Sequence, residues 1–216
     1  MPCGYISASR SGCAWWRSCW RPAASSSATE TVRQWARKFG QPFANQIRRR
    51  LPRVGDKWHL DEVVLKIAGV KHWLWRAVDQ AGVVLDVLVQ RRRNKQAAKR
   101  LLRKLLKKQM RPPRVMITDK LASCGAAKRE VMPGIEHRQH KGLNNRAENS
   151  HQPTRRRERQ MKQFKSAGQA QRFLSAHDQI NNLFHLRRDL VTAAEHRASR
   201  TQKFRIWAEI CGMGLR

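Results

Sequence analysis

Carboxylate side chains are scarce in this chain: Asp and Glu together number 15, against 46 Lys and Arg, and the formal net charge is +31. A positive excess of this size indicates a polyanionic partner, because Lys and Arg contacts to phosphate supply most of the non-specific affinity for nucleic acid. The other common polyanionic surface, a membrane, would call for an amphipathic or lipidated anchor, and the sequence has none to match. The composition therefore favours nucleic acid.

Long apolar runs and paired cysteines are also missing. No stretch of 18 apolar residues is present, which excludes a membrane-spanning helix. The five cysteines form no CxxC pair and have no histidines at zinc-ligand spacing, so we expect reduced thiols in a cytosolic protein. Arg10, Arg17 and Arg21 interrupt the apolar stretches at the start of the chain, which argues against a signal peptide.

The first part of the chain divides into three segments. Residues 1–28 are rich in Trp, Cys and Ser, show no helical or strand period, and are predicted to be disordered. From Thr29 to Gly40 the apolar residues recur at helical spacing, which predicts a short amphipathic helix. Its outer side carries the candidate DNA-binding residues Arg33, Arg37 and Lys38. Residues 41–56 are predicted to be a basic linker.

The middle of the chain has the pattern of a mixed sheet covered by helices. Three strands are predicted at 58–67, 72–79 and 83–89, joined by hairpin-length breaks. Further elements are predicted in the order helix 94–109, strand 114–118, helix 121–132, strand 135–140, helix 145–164 and helix 168–186. Pro153 must kink or split the helix that contains it. This order predicts an α/β fold, with a charged, weakly helical tail from Asp189.

Three of the few carboxylates fall where an oxygen-ligand site for Mg²⁺ can form. Asp61 lies in the first strand on the face that continues as Val63, Leu65 and Ile67, whereas Glu62 points to the opposite face. Asp119 follows the apolar strand RVMIT, at the strand end where open α/β sheets bind ligands. Glu148 begins a later helix. Carboxylates from two strands and a helix suit metal-dependent phosphodiester chemistry.

Each carboxylate also has a structural interpretation. Asp61 could form an ion pair with an arginine, and Asp119 could cap the following helix. Asn145 and Glu148 have the spacing of a capping box, so Glu148 could only stabilise a helix start. One pattern favours function: Gln152, Arg155 and Arg159 lie at helical spacing from Glu148 and would carry basic groups along the same helix face.

At these residues the chain resembles the DDE transposases of bacterial insertion sequences, which share an RNase H-like catalytic core with retroviral integrases. The stretches that carry the resemblance are GDKWHLDEV (55–63), HWLWRAVDQAG (72–82), RVMITDK (114–120), HKGLNNRAENSHQPTRRRERQMKQFKS (140–166) and FLSAHDQINNLF (173–184). It extends from about residue 29 to about residue 210. The resemblance implies an RNase H-like mixed five-stranded sheet flanked by helices over residues 57–188, with a charged helical tail over 189–216.

By this resemblance Asp61, Asp119 and Glu148 are the catalytic triad and hold two Mg²⁺ ions, with Mn²⁺ as a possible substitute. Arg155 matches a basic position that contacts DNA, and we place Arg156, Arg159 and Lys120 with it. The implied activity is metal-dependent cleavage at the ends of the element, followed by 3′-OH strand transfer into target double-stranded DNA. The implied state is a homodimer or higher assembly in the bacterial cytoplasm, at the nucleoid. Tyr5 is the only tyrosine, which argues against a tyrosine recombinase.

One departure from the family pattern concerns the N-terminus. Members of this group usually begin with a complete helix-turn-helix, and here only the helix from Thr29 to Gly40 resembles part of one. Residues 1–28 match neither half, so we expect a truncated or frameshifted copy, with residues 29–56 as a partial DNA-binding remnant. Two alternatives therefore stay open: a catalytically inactive DNA-binding remnant, and another RNase H-like nuclease that cuts without joining strands.

Overall fold

The computed structural model describes residues 26–161, 163–185 and 191–212. The chain divides into two compact units, residues 1–39 and residues 40–216. The sequence predicts disorder for residues 1–28. Residues 1–25 of that segment lie outside the described residues, and residues 26–28 belong to a helix. No helix in the described ranges has both the length and the apolar character needed to cross a membrane.

Three antiparallel strands form one half of the sheet: β1 (Lys57–Ile67), β2 (Val70–Asp79) and β3 (Val84–Gln90). The β1–β2 turn consists of Ala68 and Gly69 at φ values of 48° and 77°, the left-handed pair that a two-residue hairpin requires. Two short strands, β4 (Val115–Thr118) and β5 (Glu136–Gln139), extend the sheet in parallel with β1. The strand order is β3-β2-β1-β4-β5. The predicted mixed five-stranded sheet is confirmed.

Seven helices are described. They are α1 (Ser26–Arg50), α2 (Lys95–Gln109), α3 (Ala122–Val131), α4 (Asn145–Ser150), α5 (Gln152–Gln160), α6 (Ala167–Phe184) and α7 (Ala193–Ile210), with a 3-10 turn at Lys141–Leu143. The predicted helix 94–109 is confirmed as α2: the Asn94 side chain accepts a hydrogen bond from the Ala97 N–H at 3.0 Å. It ends where Met110 adopts the left-handed conformation.

The two faces of the sheet bury separate cores, because side chains alternate along each strand. On one face Trp58, Leu60 and Trp75 pack with the apolar side of α2 and with residues of α3. On the other face Leu65 and Leu74 join a cluster that includes Ala147 of α4, Phe164 and two residues of α6. Helices therefore cover both faces, and the second face is the one that carries Asp61.

The predicted end of the first helix at Gly40 is wrong, because α1 continues to Arg50. Residues 41–50 of the predicted basic linker 41–56 are therefore helical. Pro42 lies inside α1 and lacks an N–H donor, which costs about 3 kcal/mol in an ordinary helix interior. Burial of Ile47 with Leu183 and Ile210 offsets that loss. Before residue 40, Trp35 and Phe39 are 56% and 40% exposed, so the apolar face predicted there is not buried.

In the described part of the predicted helical tail, residues 191–212, a regular helix is formed. Thr192 and Glu195 form a reciprocal capping box at the start of α7. Near its other end, Ile206, Trp207 and Ile210 pack with the third apolar cluster. Tertiary packing, rather than intrinsic propensity, accounts for this helix, since its sequence alone shows only a weak apolar stripe.

Candidate active site

Asp61 lies on β1 with its side chain only 14% exposed. It follows the strand alternation as predicted, on the face of Val63, Leu65 and Ile67, and its partner across the β1–β2 ladder is Arg76. Within the described chain the nearest charged or titratable partner of Asp61 is a histidine: Nε2 of His151 lies 3.2 Å from Oδ2 of Asp61. The predicted alternative of an ion pair between Asp61 and an arginine is therefore not formed.

Asp119 is placed beside Asp61 by the parallel pairing of β1 with β4. The last pair of that ladder is Leu60 with Thr118, so each aspartate comes one residue later, on strands about 4.8 Å apart. Asp119 is half-buried, and its Oδ1 accepts a hydrogen bond from the Leu121 N–H at 3.1 Å. The N-cap of α3 is Leu121, with no side-chain cap, so Asp119 does not cap that helix.

Glu148 is presented by a broken helix. Pro153 splits the predicted 145–164 helix into α4 and α5, and it occupies the first turn of α5, where its missing N–H has no partner to lose. Ala147, His151 and Thr154 are buried toward the sheet at spacings of four and three residues. Glu148, Gln152 and Arg155 each follow one of these buried residues directly, and they form a neighbouring stripe that faces outward.

The alternative interpretation of Glu148 as part of a capping box is not borne out. Asn144, not Asn145, precedes the first residue of α4, and no side chain caps that helix. The Asn144 side chain is instead fully buried and donates to the Leu60 carbonyl at 2.9 Å. This bond ties the start of α4 to β1 next to Asp61, and it leaves the Glu148 carboxylate uninvolved in the helix start.

One open cleft of about 460 Å³ joins the predicted residues of β1 and α4–α5. We call it the carboxylate cleft. It is lined by Asp61, Val63, Glu148, His151, Gln152, Arg155, Arg156 and Arg159. Two of the three predicted triad members and three of the predicted DNA-binding arginines therefore share one cavity. Asp119 is not among the lining residues, although the register places it beside Asp61.

The three carboxylates do not converge on a single point. Among the described residues, no group of three or more His, Cys, Asp or Glu is arranged closely enough to hold a metal ion. The donor chemistry nevertheless fits Mg²⁺, which binds one or two carboxylates and keeps several waters.

These three carboxylates are among the five described acids that have no Lys or Arg partner. Of the 14 described Asp and Glu residues, nine lie within 4 Å of a Lys or Arg nitrogen: Glu30, Asp56, Glu62, Asp86, Glu130, Glu136, Glu158, Asp178 and Glu209. Asp79 accepts hydrogen bonds from turn N–H groups, and Glu195 caps α7. The other three are Asp61, Asp119 and Glu148, of which Asp119 also accepts one backbone N–H, that of Leu121. In so basic a chain, a carboxylate without a Lys or Arg partner is the exception.

Arg76 is a residue that sequence reasoning missed. It is 1% exposed, and its guanidinium binds both oxygens of Asp178 at 3.0 and 3.2 Å and the Thr154 hydroxyl at 2.5 Å. It also donates to the carbonyl oxygen of Ser150. One arginine thus joins β2 to α4, α5 and α6 directly behind the carboxylate cleft. The sequence signal that could have found Arg76 is the register of the β1–β2 hairpin, which pairs position 76 with position 61.

Glu62 and His151 are the other groups that the sequence did not single out. Burial raises the pKa of the Glu62 carboxyl to about 7, an effect that the Arg93 guanidinium opposes and that the Asp119 and Asp61 charges reinforce. The Arg93 Nε donates to it at 2.7 Å. Burial lowers the pKa of His151, which favours a neutral ring beside Asp61. Sequence spacing gave a hint for His151, three residues beyond Glu148.

The remaining predicted DNA-binding residues lie outside the carboxylate cleft. Lys120 is exposed and follows Asp119 directly. Arg33, Arg37 and Lys38 are exposed on the part of α1 that belongs to the first unit, where Arg33 pairs with Glu30 at 2.5 Å. The structure therefore groups Arg155, Arg156 and Arg159 with the carboxylates, and the other four residues belong to other surfaces.

Comparison with known proteins gives the class to which this sheet and its carboxylates belong. The family model of the DDE domain of IS240-type transposases matches residues 55–187. That range contains all five strands, Asp61, Asp119 and Glu148. The chain therefore belongs to the DDE transposase family of bacterial insertion sequences.

Among curated relatives, a transposase for the insertion sequence-like element IS431mec of Staphylococcus aureus is 31% identical over 127 residues, covering 56% of each chain. The transposase of insertion sequence element IS257 in transposon Tn4003 of the same species matches to the same extent. An uncharacterised Yersinia pseudotuberculosis protein is 34% identical over 79 residues, which cover 36% of this chain and 74% of that one. The match spans little more than half the length of the two transposases.

Solved structures with lower similarity are retroviral integrase cores. The catalytic core of BIV integrase aligns with 69% of this chain and 99% of its own, at 12% identity and a TM-score of 0.39. The HTLV-2 integrase catalytic core, solved in complex with magnesium, aligns with 46% of this chain and 69% of its own, at 19% identity and a TM-score of 0.34.

Proposed function

We propose that this chain is a metal-dependent DNA transposase that cleaves the ends of an insertion element and joins them to target DNA. The observation that carries the proposal is that none of the three predicted triad carboxylates has a Lys or Arg partner among the described residues. Two of them line one cleft with three arginines. Family membership, the basic composition and the cleft all favour a phosphodiester substrate.

Asp61, Asp119 and Glu148 are the residues that would hold Mg²⁺, or Mn²⁺ in its place. When bound, the metal supplies Lewis-acid activation of the attacking oxygen and charge stabilisation at the leaving oxygen. Arg155, Arg156 and Arg159 would bind the phosphates on either side of the reacting one, as bidentate donors suited to phosphate. Arg76 and Asn144 act behind them by fixing α4 and α5 against the sheet.

Two displacements make up the reaction. In the first, water attacks the phosphorus at the element end, the bond to the 3′ oxygen breaks, and a 3′-OH and a 5′-phosphate are left. In the second, that 3′-OH attacks a phosphorus of the target strand, and the target's own 3′ oxygen leaves with a proton. No covalent link to the protein forms. The first step hydrolyses one phosphate ester bond, and the second exchanges one phosphate ester bond for another. Because two ends must be joined, we propose a dimer or larger assembly on the DNA.

A second candidate is a chain that binds DNA without cutting it. The absence, among described residues, of a tight cluster of three metal-binding side chains favours it. The two proposals differ in their dependence on the carboxylates. Binding by Lys and Arg needs no acidic residue, whereas cleavage needs all three.

The experiment uses a supercoiled plasmid carrying the DNA that flanks this gene, with Mg²⁺, and measures nicked and joined products. We expect Asp119→Asn and Glu148→Gln to lose activity by about a thousand-fold or more, equivalent to about 4 kcal/mol of transition-state stabilisation. Glu136→Gln is the matched control, since this exposed carboxylate pairs with Arg138 and lies outside the cleft. It should retain full activity.

Each other outcome selects a different interpretation. If the native chain binds the plasmid but gives no product in Mg²⁺ or Mn²⁺, the result supports the second candidate, a chain that binds DNA without cutting it. Nicking that depends on the carboxylates but yields no joined product would indicate another RNase H-like nuclease. Equal activity of the native chain and Asp119→Asn would overturn the assignment of the site.

A further inference from the structure

A second cleft opens around the outer edge of β3, and we call it the edge cleft. Its volume is about 390 Å³, and it lies between α2, α6 and the second half of α1. It is lined by Gln41, Ala44, Asn45, Arg48, Asp86, Lys104, Lys107, Lys108, Ser175 and Gln179. None of these residues lines the carboxylate cleft, and β3 is the strand at the end of the sheet.

The edge cleft has an organised interior. The Asp86 side chain is 2% exposed and receives Nζ of Lys104 at 3.1 Å and Nζ of Lys108 at 3.2 Å. Lys104 also donates to the Val87 carbonyl at 3.0 Å. The buried carboxylate therefore aligns two lysines along the floor of the cleft, side by side on one helix.

The rim of the edge cleft is strongly positive. Arg48 and Lys107 are exposed, and within the described chain neither makes an ion pair or a side-chain hydrogen bond. The lining holds four cationic side chains and one carboxylate, a local excess of three positive charges. Like charges held in a concave site repel one another and raise the local concentration of anions.

The remaining lining residues indicate what kind of anion would fit. Gln41, Asn45, Ser175 and Gln179 add amide and hydroxyl groups, which together with Lys and Arg are the usual donors to DNA phosphates and sugars. The lining has no aromatic side chain, so it lacks the stacking platform on which single-stranded bases are held. Its one apolar member, Ala44, gives no anchor for a lipid surface.

We propose that the edge cleft binds the sugar–phosphate backbone of duplex DNA, at a place separate from the carboxylate cleft. The proposal rests on the proposed function in so far as DNA is taken as the substrate. Arg48 and Lys107 each contact a phosphate from the rim. Lys104 and Lys108, held by Asp86, present their remaining N–H groups from the floor.

The test measures binding of a fluorescent duplex of arbitrary sequence as KCl is varied, in EDTA so that no strand is cut. Each phosphate contact contributes about −0.9 to the slope of log K against log salt. We expect the double variant Arg48→Gln, Lys107→Gln to lower the steepness of that slope by roughly 2, and to weaken binding at ~0.1 M KCl on the order of fifty-fold. Each single variant should show about half of the slope change.

The control removes the same charge elsewhere. Arg129 on α3 and Arg197 on α7 are exposed and, within the described chain, neither pairs with a carboxylate or lines either cleft. The double variant Arg129→Gln, Arg197→Gln should keep the native slope. Equal losses in the two double variants would show only a general attraction of a basic chain for DNA, and would overturn the proposal. Thermal melting checks that each variant is folded.

Further measurements distinguish duplex DNA from other ligands. They also distinguish failure of the edge-cleft proposal from failure of the proposed function. A larger loss for single-stranded RNA than for duplex DNA, or a loss confined to phosphatidylserine vesicles, would overturn the assignment to duplex DNA. If the native chain fails to cut DNA in Mg²⁺, the proposed activity fails, while the salt slopes still decide whether the edge cleft binds duplex DNA.

Discussion

The carboxylate cleft and the edge cleft each have an aspartate from a strand, and the fold treats the two aspartates in opposite ways. Asp86 is bound by two lysines, whereas Asp61 has only the His151 ring beside it within the described chain. A carboxylate paired with lysines aligns their side chains and has little affinity left for another cation. An unpaired carboxylate keeps its charge for a cation from outside. The comparison teaches that pairing, more than position on a strand, distinguishes Asp86 from the predicted triad member Asp61.

The largest effect on stability should come from breaking the Arg76–Asp178 pair. Asp178→Asn leaves the Arg76 charge buried without its counter-ion, which costs about 3–5 kcal/mol of unfolding free energy. Glu148→Gln, in the carboxylate cleft, should change stability by less than about 0.5 kcal/mol, since Glu148 is exposed. Urea denaturation in EDTA measures both. Similar losses in the two variants would break the distinction between paired and unpaired carboxylates.

The next effect concerns the pH dependence of stability at Glu62. Its pKa is raised from 4.5 to about 7 in the folded chain. Between these pH values the folded chain holds the proton and the unfolded chain does not, so the free energy of unfolding falls as the pH rises, by about 3 kcal/mol in all.

Glu62→Gln removes this titration. The difference in unfolding free energy between Glu62→Gln and the native chain should therefore grow in favour of the variant from pH 4.5 to 7, measured without metal. Parallel pH profiles for the two chains would show that Glu62 has an ordinary pKa and that Arg93 compensates its burial in full.

The smallest effect should come from Asp86. Asp86→Asn keeps the shape of the side chain and removes the charge that holds Lys104 and Lys108, with an expected loss of about 2 kcal/mol. Lys104 is 40% exposed, so water compensates part of the lost interaction. Asp61→Asn is the matched change in the other cleft. In EDTA it should leave the melting temperature unchanged or slightly raised, and a clear fall would mean that His151 is a true ionic partner.

Much of the sheet and the carboxylate stripe was predictable because it depends on local periodicity. Alternation in residues 58–67 placed Asp61 and Glu62 on opposite faces, and the spacing of Glu148, Gln152, Arg155 and Arg159 predicted one lined face. The split at Pro153 also followed from local chemistry. These features need only the neighbours in sequence, and the structure contains each of them.

What sequence reasoning missed depends on partners far apart along the chain. The helix across Gly40 and Pro42 is sustained by Leu183 and Ile210, and Arg76 finds Asp178 about a hundred residues later. The burial of Glu62 depends on how β1 packs, and its pairing with Arg93 depends on where the segment before α2 returns. Neither the identity of such partners nor the distance between Asp119 and Glu148 is encoded in a local pattern.

The packing of α7 on the second half of α1 has a consequence for the order of events at the ribosome. Ile47 and Ile210 share one apolar cluster but are synthesised 163 residues apart. At roughly 5–20 residues per second, the interval is on the order of ten to thirty seconds. Until α6 is made, with Leu183 of the same cluster, the apolar side chains of α1 have no helix to cover them, and α7 completes the cover. The five-stranded sheet is complete well before, so this last cluster closes a domain whose sheet, with Asp61 on it, is already formed.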